Sequence, residues 1–556
     1  MKLNMLDNTS HGINRRSLVR LMGASGAVGL AGCIGGGEES DGPDGESDVL
    51  VEGLDSDPDN LDIHELTRVP EVMVAASLHD SLFVYDFDLE LQPHLATEYE
   101  VNDDATEFTF TLRDDVTFHD GTEFDAEIAV WNMERHLDLS PVAWELGPVD
   151  TVQETGESEM TFFMEDSHPF LINYLPGPQK GFTTPNAIDE YGEQYGAEGV
   201  VGTGPLQLDE WRRDDEIRLS RFDEYDWAPD YLDHEGSANF EEYRVRIIPE
   251  ETTLLNEVTV GDVDGTPFIA PDDVSDVEEH ENTQIERVED AHPHFLHMNI
   301  EREPLDELEV RRAIMYAVDR DGIINAAHGG EAYPIWSLNP PMAVGAMDEE
   351  VARDHAPNFD RDRARELLDE AGWTNSEEGE TRTRDGETLE LNFFAFTMPL
   401  FARTGEVVQS MLQSVGIETQ LEILESGTFY DRADGGEAHL FTFALGSSYQ
   451  AVDTLTTALH SRNHPEDGGF AYSFVRDDTI DELIDGASVE TDEQRQKEML
   501  VEAQKRALDQ AYLVPLVGQN KFYAHRNDIN GGDWFDHPWW PSSDKNYINR
   551  FEVNRQ

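Results

Sequence analysis

Residues 292–297 (HPHFLH) bring three imidazole side chains close together in the sequence. Imidazole nitrogens are common metal ligands, so the run raises the hypothesis of a nickel or metal-chelate site. On a β-strand, however, His292 and His294 would share one face, and His297 would point to the other. We therefore favour a packed strand or a cleft edge, and we predict no metal centre.

The short motifs that mark common catalytic and phosphate-binding sites do not occur in a fitting context; these include HExxH, the Walker A loop, GxGxxG and GxSxG. Paired carboxylates could act as general acid and base, but 118 acidic residues make close pairs inevitable and therefore uninformative. We predict no catalytic residue, no cofactor and no enzymatic activity. An extracellular hydrolase is the alternative from the enzyme class.

The charge balance is extreme, with 38 basic against 118 acidic residues and a formal net charge of −80. Such a field repels nucleic acid, so we expect no nucleic-acid partner. It would also strain the fold by self-repulsion unless molar salt shortened the screening length to about 3 Å. Acids spread along the whole chain are typical of a halophilic protein. A far-UV spectrum unchanged at about 0.1 M salt would count against this interpretation.

The first 33 residues have the features of an export signal rather than of a folded element. Arg15 and Arg16 form an adjacent pair before an uncharged apolar stretch that is too short to span a bilayer, which needs about 20 residues. This is the form of a twin-arginine (Tat) signal. Residues 30–33 (LAGC) resemble a lipobox and end at Cys33, the only cysteine of the chain.

We expect cleavage to leave Cys33 as a lipidated first residue, followed by a flexible acidic and Gly-rich tether over residues 34–48. A lipid on Cys33 would anchor the protein at the extracellular face of the cytoplasmic membrane without a transmembrane helix. A coincidental arginine pair with a stray cysteine is the competing interpretation, which the order of the three features disfavours.

The mature chain alternates between strand-like and helix-like patterns. Alternation with period two predicts strands over residues 107–112, 243–248 and 389–394. Helical periodicity predicts helices over residues 309–318, 361–371, 405–415 and 491–509. Helices and strands that alternate in this way indicate an α/β protein with mixed sheets.

Six short stretches occur in a fixed order along the chain. They are residues 91–96 (LQPHLA), 113–122 (RDDVTFHDGT), 202–205 (GTGP), 310–320 (VRRAIMYAVDR), 364–372 (ARELLDEAG) and 415–417 (VGI). Taken singly, most of them are ordinary caps and turns. Taken together, they resemble family 5 of the bacterial and archaeal extracellular solute-binding proteins, the peptide and nickel type that serves ABC importers.

The resemblance implies a periplasmic-binding-protein-like (type II) fold, in which two α/β lobes face each other across a cleft and a third lobe is inserted into the first. We place lobe I at residues 49–90, 201–297 and 519–556. Lobe II would be the insertion at 91–200, and lobe III would be 298–518. Ligand would be buried between lobes that close by a hinge motion.

The cleft residues depart from the family pattern. Dipeptide-binding members supply an aromatic wall and an aspartate for the peptide amine from the stretch that aligns with residues 446–450 (GSSYQ). Ser447 stands at the aromatic position and Gln450 at the aspartate position. The arginine that holds the peptide carboxylate in those members has no counterpart in residues 393–400, and Arg403 is displaced into the start of a helix.

The candidate ligand-binding residues follow from this alignment and from the aromatic side chains around it. They are Trp336, Gly446, Ser447, Tyr449, Gln450 and Asp453. Phe470 and Tyr472 are two further candidates for the cleft wall. Core packing is the alternative for each aromatic residue, and it is the favoured one for Phe470.

The resemblance implies a monomeric solute receptor that captures a small solute, with peptide as the leading class, and delivers it to ABC permease subunits. Because the aspartate and arginine that hold the termini of a dipeptide are missing, a longer peptide, an oligosaccharide and a nickel or other metal chelate are alternative ligands. A sensor that presents solute to a membrane receptor is a further alternative.

Overall fold

The computed structural model describes residues 49–87, 89–232, 236–341, 343–375, 380–444, 450–530 and 554–555, without the side chains of 290–292. Several predicted features lie outside these residues. They are the export signal with Arg15 and Arg16, the lipidation site Cys33, and the cleft residues Gly446, Ser447 and Tyr449.

The described residues contain twenty-one strands. They are β1 Val49–Leu54, β2 Phe83–Tyr85, β3 Leu91–Pro93, β4 Ala96–Val101, β5 Glu107–Leu112, β6 Val149–Gly156, β7 Glu159–Met164, β8 Leu206–Arg212, β9 Glu216–Arg221, β10 Glu242–Ile247, β11 Gly265–Thr266, β12 Thr283–Met298, β13 Ala332–Pro334, β14 Thr383–Arg384, β15 Glu387–Thr388, β16 Glu390–Phe396, β17 Glu418–Leu424, β18 Leu440–Ala444, β19 Leu513–Arg526, β20 Ile529–Asn530 and β21 Asn554–Arg555.

Fifteen α-helices lie between these strands. They are α1 Val69–Ala75, α2 Ala126–Leu139, α3 Leu171–Tyr174, α4 Pro185–Tyr191, α5 Glu251–Val260, α6 Val274–Glu279, α7 Leu308–Ala317, α8 Arg320–Ala327, α9 Glu349–His355, α10 Arg361–Glu370, α11 Pro399–Ser414, α12 Ser426–Asp434, α13 Ala451–Leu459, α14 Asp478–Val489 and α15 Glu493–Asp509.

One large mixed sheet organises the chain, with the strand order β17-β16-β18-β12-β19-β11-β1-β10-β9-β8 and with β13 paired to β19. Strand β1 is parallel to β10, and β16 is parallel to β17, whereas β12 and β19 are antiparallel. We call β1 and β8–β11, with α5 and α6, the proximal region. We call β13 and β16–β18, with α7–α15, the distal region. Strands β12 and β19 belong to both.

Strands β12 and β19 change register where the two regions meet. The ladder runs from Thr283 opposite Arg526 to Glu289 opposite Asn520, and it resumes at Pro293 opposite Gly518. A proline cannot donate a ladder hydrogen bond, and such irregularities bend a strand. A Cβ on Gly518 would lie 2.2 Å from the Tyr333 ring, so only glycine allows β13 to pack this closely. We call this point the β12–β19 bend.

A separate four-stranded antiparallel sheet, β4-β5-β7-β6, forms the small-sheet region together with α2–α4. Strand β5 alternates as its sequence predicts, with Phe108, Phe110 and Leu112 buried against α2 and its neighbours. Asp125 is the N-cap of α2, because its side chain accepts a hydrogen bond of 2.9 Å from the Ile128 N–H.

The predicted elements lie close to the observed ones, with one boundary wrong. The strand over 107–112 coincides with β5, and the helix over 361–371 ends one residue early, at Glu370. The helix expected over 405–415 begins instead at Pro399. Proline is favoured in the first turn of a helix, because a backbone N–H at that position would have no intrahelical partner. Pro399 therefore starts the helix, although the apolar periodicity becomes clear only further along the chain.

Residues 202–205 (GTGP) need glycine because two backbone segments approach each other closely at this point. A Cβ on Gly202 would lie 1.9 Å from the Leu78 carbonyl oxygen, and the Gly204 N–H donates to the same oxygen at 3.0 Å. This contact fixes the return of the chain from the small-sheet region to the proximal region.

A buried polar cluster lies beside this junction. Trp227 Nε1 donates to Asp80 Oδ2 at 2.9 Å, and His94 Nε2 lies 3.8 Å from Asp80 Oδ1. Burial raises the pKa of Asp80 to about 7 and lowers the pKa of His94 to about 3. Between these values both side chains are neutral in the folded protein, so no buried charge has to be compensated.

We expect the Asp80→Asn variant to gain stability relative to the wild type as the pH rises from about 4 to about 7. Over that range the unfolded carboxyl has lost its proton while the folded one retains it, so wild-type stability falls with pH and the amide is unaffected. The full difference is about 4 kcal/mol. Urea unfolding in molar salt would measure it.

The exposed Asp114→Asn variant is the matched control for the loss of one carboxylate and should change stability by no more than about 0.5 kcal/mol. A flat or falling difference for Asp80→Asn would mean that the buried carboxyl is ionised when the protein is folded.

Candidate ligand-binding site

Aromatic side chains of the distal region form one cluster around the ends of β16 and β18. Its members are Phe396, Phe429, Tyr430, Phe441, Phe443, Phe470 and Tyr472. Phe429 and Tyr472 are fully buried, Tyr430 and Phe443 are half-buried, and Phe470 is 42% exposed. The cluster therefore presents an aromatic rim at the ends of β16 and β18.

A second group of rings lies at the β12–β19 bend. The His294 ring stacks on Phe401 with centroids 4.6 Å apart, and its Nε2 lies 2.5 Å from Gln519 Nε2 of β19. His328 packs edge-on against His294 and contacts Thr404 Oγ1 at 3.2 Å. Burial and, to a smaller extent, the nearby Arg403 cation together lower the pKa of His328 to about 4, so His328 is neutral at neutral pH.

His297 faces a different environment from His294, as the strand pattern predicts. Its ring packs against Phe295 and Phe443, and its Nδ1 lies 3.4 Å from Ser473 Oγ. Burial lowers its pKa to about 3. Within the described part of the chain, no group of three or more His, Cys, Asp or Glu side chains is placed to hold a metal ion. The side chain of His292 is not among the described ones.

Two ion pairs link the proximal and distal regions. Arg403 at the start of α11 binds both oxygens of Asp272, which precedes α6, at 2.7 and 3.1 Å, and these hydrogen bonds lower the pKa of Asp272. Arg287 of β12 binds Glu331, between α8 and β13, at 3.0 and 3.1 Å. Arg403 is therefore engaged across the junction of the two regions.

Asp453 and Gln450 lie at the start of α13, and the structure places them in different environments. Gln450 precedes the helix, is fully buried and forms a bridge with Val344. Asp453 accepts a hydrogen bond from the Tyr174 hydroxyl of α3, and this contact joins the distal region to the small-sheet region. Burial and the Asp453 carboxylate raise the pKa of Tyr174 well above its usual value.

Trp336 contacts two arginine side chains. It is 8% exposed, and the guanidinium groups of Arg320 and Arg353 each lie 4.1 Å from its ring centroid. Burial lowers the pKa of Arg320 to about 9, and among the described residues no carboxylate pairs with it; instead its Nε donates to the Ile335 carbonyl at 2.8 Å. The indole face thus stabilises a buried cation.

The structure places the two other aromatic candidates differently. Phe470, for which core packing is favoured from sequence, is half-exposed on the rim, so that expectation is wrong. Tyr472 is buried among Phe429, Phe441 and Phe443. Because Phe470 and Tyr472 are two residues apart, a strand pattern would place both on the same face. Which of the two side chains is buried depends on how α12 packs against them.

Sequence reasoning missed Tyr430 and Tyr174. Tyr430 lies on α12 and connects Phe396 to Phe470, with centroids 5.6 and 6.1 Å away. Tyr174 lies on a single helical turn of the small-sheet region, almost 280 residues before its partner Asp453. No local motif marks either residue, because each acquires its place through contacts between distant elements.

Comparisons with known proteins agree with this architecture. Residues 90–466 match the family model of the bacterial extracellular solute-binding proteins, family 5 Middle. The glutathione-binding protein GsiB of Escherichia coli K12 is 25% identical over 499 residues, which cover 87% of this chain and 91% of that protein.

Two solved structures illustrate the fold. NikA from Brucella suis in complex with Fe(III)-EDTA has a TM-score of 0.76 at 22% identity and covers 91% of this chain and 100% of its own. DppA from Helicobacter pylori in complex with the peptide STSA has a TM-score of 0.66 at 20% identity and covers 91% and 98%.

Two α/β regions that share a bent sheet, with a third region attached, define the periplasmic-binding-protein-like fold of solute-binding proteins. The chain belongs to family 5 of the bacterial extracellular solute-binding proteins. It is the solute-binding component of an ABC importer. Among the described residues, no helix combines the length and apolar character needed to cross a bilayer.

We expect Trp336→Ala to cost about 3 kcal/mol of stability, because it removes a large buried ring and uncovers the Arg320 cation. Trp144→Ala is the matched control: that ring is 63% exposed, and its loss should change stability by no more than about 0.5 kcal/mol. Urea unfolding in molar salt measures both. Equal, small effects would contradict the packing role of Trp336 and favour a cleft role.

Proposed function

We propose that the solute is a peptide longer than a dipeptide, bound mainly through its backbone and its apolar side chains. The observation that carries this proposal is the aromatic rim at the ends of β16 and β18, together with a sequence that lacks both charged anchors at the aligned positions. A ligand held there must gain affinity from apolar contact and neutral hydrogen bonds.

The relatives support a peptide more than the other classes. GsiB is named for glutathione, and the Helicobacter pylori structure holds a four-residue peptide. The Brucella suis structure holds a metal chelate, so metal chelates are included in the thermal-shift screen described below. An oligosaccharide would also suit aromatic walls with neutral hydrogen-bonding groups.

We further propose that the proximal, small-sheet and distal regions act as lobes I, II and III, with the boundaries predicted from sequence. The β12–β19 bend would be the hinge, and Arg403 with Asp272 would close one edge of the cleft. Closure would bury the ligand, and affinity would depend on how well the cleft groups are preorganised. Exposed ion pairs of this kind contribute only about 0.2–1 kcal/mol, so ligand contacts would dominate closure.

The protein is, in this proposal, a monomeric Tat-exported lipoprotein of a halophile. Arg15 and Arg16 direct export, lipid on Cys33 anchors the chain outside the cytoplasmic membrane, and ABC permease subunits receive the solute. The net charge of −80 supports the halophilic part of the proposal.

A thermal-shift screen in molar salt tests the ligand class, using the chain from about Asp48. The library holds di- to octapeptides, oligosaccharides, Ni²⁺ and Ni²⁺ chelates. A ligand present at about 100 times its dissociation constant stabilises the fold by about 2.7 kcal/mol, which shifts the melting temperature measurably. We expect shifts with peptides of three or more residues.

Shifts confined to sugars or to nickel species would overturn the peptide assignment and identify the cargo instead. Peptides that bind without being taken up by vesicles carrying the permease would favour a sensor role.

A further inference from the structure

A cavity of about 580 Å³ lies between the small-sheet region and the distal region, beyond the aromatic rim. Ligand pockets in proteins typically have volumes of about 300–1,000 Å³, so the space is large enough for a substantial part of a ligand. Trp144, His168 and Tyr174 line it from one side; Asp453, Thr457 and Phe470 line it from the other.

Two large aromatic rings stand exposed at this cavity. Trp144 is 63% exposed and Phe470 is 42% exposed, and they belong to different regions. Exposed apolar residues are ordinary when they are scattered, but two large rings that converge on one cavity from opposite sides form a patch of the kind that marks binding sites. They provide two aromatic surfaces for a third apolar group.

The charged groups at this cavity are already engaged. Asp453 accepts a hydrogen bond from Tyr174, and Glu145 is paired with Lys180, which is 2% exposed. The Tyr174 ring stacks on His168 with centroids 5.9 Å apart, and burial lowers the pKa of His168. Arg462 also lines the cavity, with a 57% exposed side chain that lies 3.7 Å from Asp485. The cavity therefore offers rings and neutral hydrogen-bonding groups beside one exposed cation.

A continuous series of rings connects this cavity to the β12–β19 bend. The centroids of Phe470 and Tyr430 are 6.1 Å apart, those of Tyr430 and Phe396 are 5.6 Å apart, and those of Phe396 and Phe401 are 5.5 Å apart. Phe401 in turn stacks on His294. Phe396 and Phe401 are only 5% and 8% exposed and belong to the buried core, so a ligand at the rim can contact only Tyr430 and Phe470 of this series.

We propose that this cavity is an outer subsite for an aromatic or large aliphatic side chain at one end of the bound peptide. The inference rests on the proposed peptide function. The apolar side chain lies between Trp144 and Phe470. The same subsite would favour peptides with an apolar end over those with small side chains.

The test uses the full chain in molar salt, with the tetrapeptides Phe-Ala-Ala-Ala, Ala-Ala-Ala-Phe and Ala-Ala-Ala-Ala as calorimetric probes. We expect one of the two Phe peptides to bind at least tenfold more tightly than the all-Ala peptide. In the double variant Trp144→Ala with Phe470→Ala, the Phe peptides and Ala-Ala-Ala-Ala should bind with equal affinity, because aromatic contacts of this kind give about tenfold.

Two further variants separate subsite loss from misfolding. Thr457→Phe narrows the cavity while it keeps both exposed rings, and it should reduce the Phe preference as well. Phe359→Ala removes a ring that is 39% exposed and lies elsewhere on the distal region, so the preference should persist. Far-UV spectra in the same buffer should match for all variants, because Trp144 and Phe470 are exposed.

The outcomes distinguish this inference from the proposed function. Wild-type protein that binds none of these peptides would overturn both. Wild-type protein that binds all three equally, or a Phe preference that survives the double variant, would overturn the outer subsite and leave the peptide function standing.

Discussion

Strands β12 and β19 are hydrogen-bonded to each other on both sides of their register shift, and the remaining strands of the large sheet join one side or the other. The pairing couples the two regions through backbone hydrogen bonds, while the bulge and Pro293 weaken the ladder at one point. This arrangement lets two halves of one sheet bend without separating. The aromatic rim, the His294 stack and the two ion pairs all lie near that point, so their positions depend on it.

Acidic residues are numerous along the chain, but the exposed side chains of the aromatic rim are uncharged. The rim is aromatic, and the buried polar groups near the junctions, such as Asp80, His94 and His297, are held neutral by burial. Arg320, the buried cation of the distal region, is stabilised by the Trp336 ring and carbonyl oxygens. At the molar salt proposed for this protein, exposed charges would be screened within about 3 Å, and binding through apolar contact would not depend on them.

The sequence predicted the elements and the family better than the site. Strand β5 and the Asp125 cap follow from local alternation and capping chemistry, and the mixed α/β class follows from the order of such elements. The site is different because its members meet only in the folded chain: Tyr174 and Asp453 lie almost 280 residues apart. Tertiary packing determines that Tyr472 is buried and Phe470 is exposed. The alternation of residue types along the chain does not distinguish the two positions.

Ligand-driven closure about the β12–β19 bend is the central claim, and a distance measurement tests it directly. Spin labels on Val260→Cys and Val489→Cys, in a chain with Cys33→Ser, would report on the proximal and distal regions from exposed positions. A saturating peptide should shorten and narrow the distance distribution, while a control pair on Val489→Cys and Phe359→Cys, both in the distal region, stays unchanged. A peptide that binds and leaves the first distribution as it was would contradict the account.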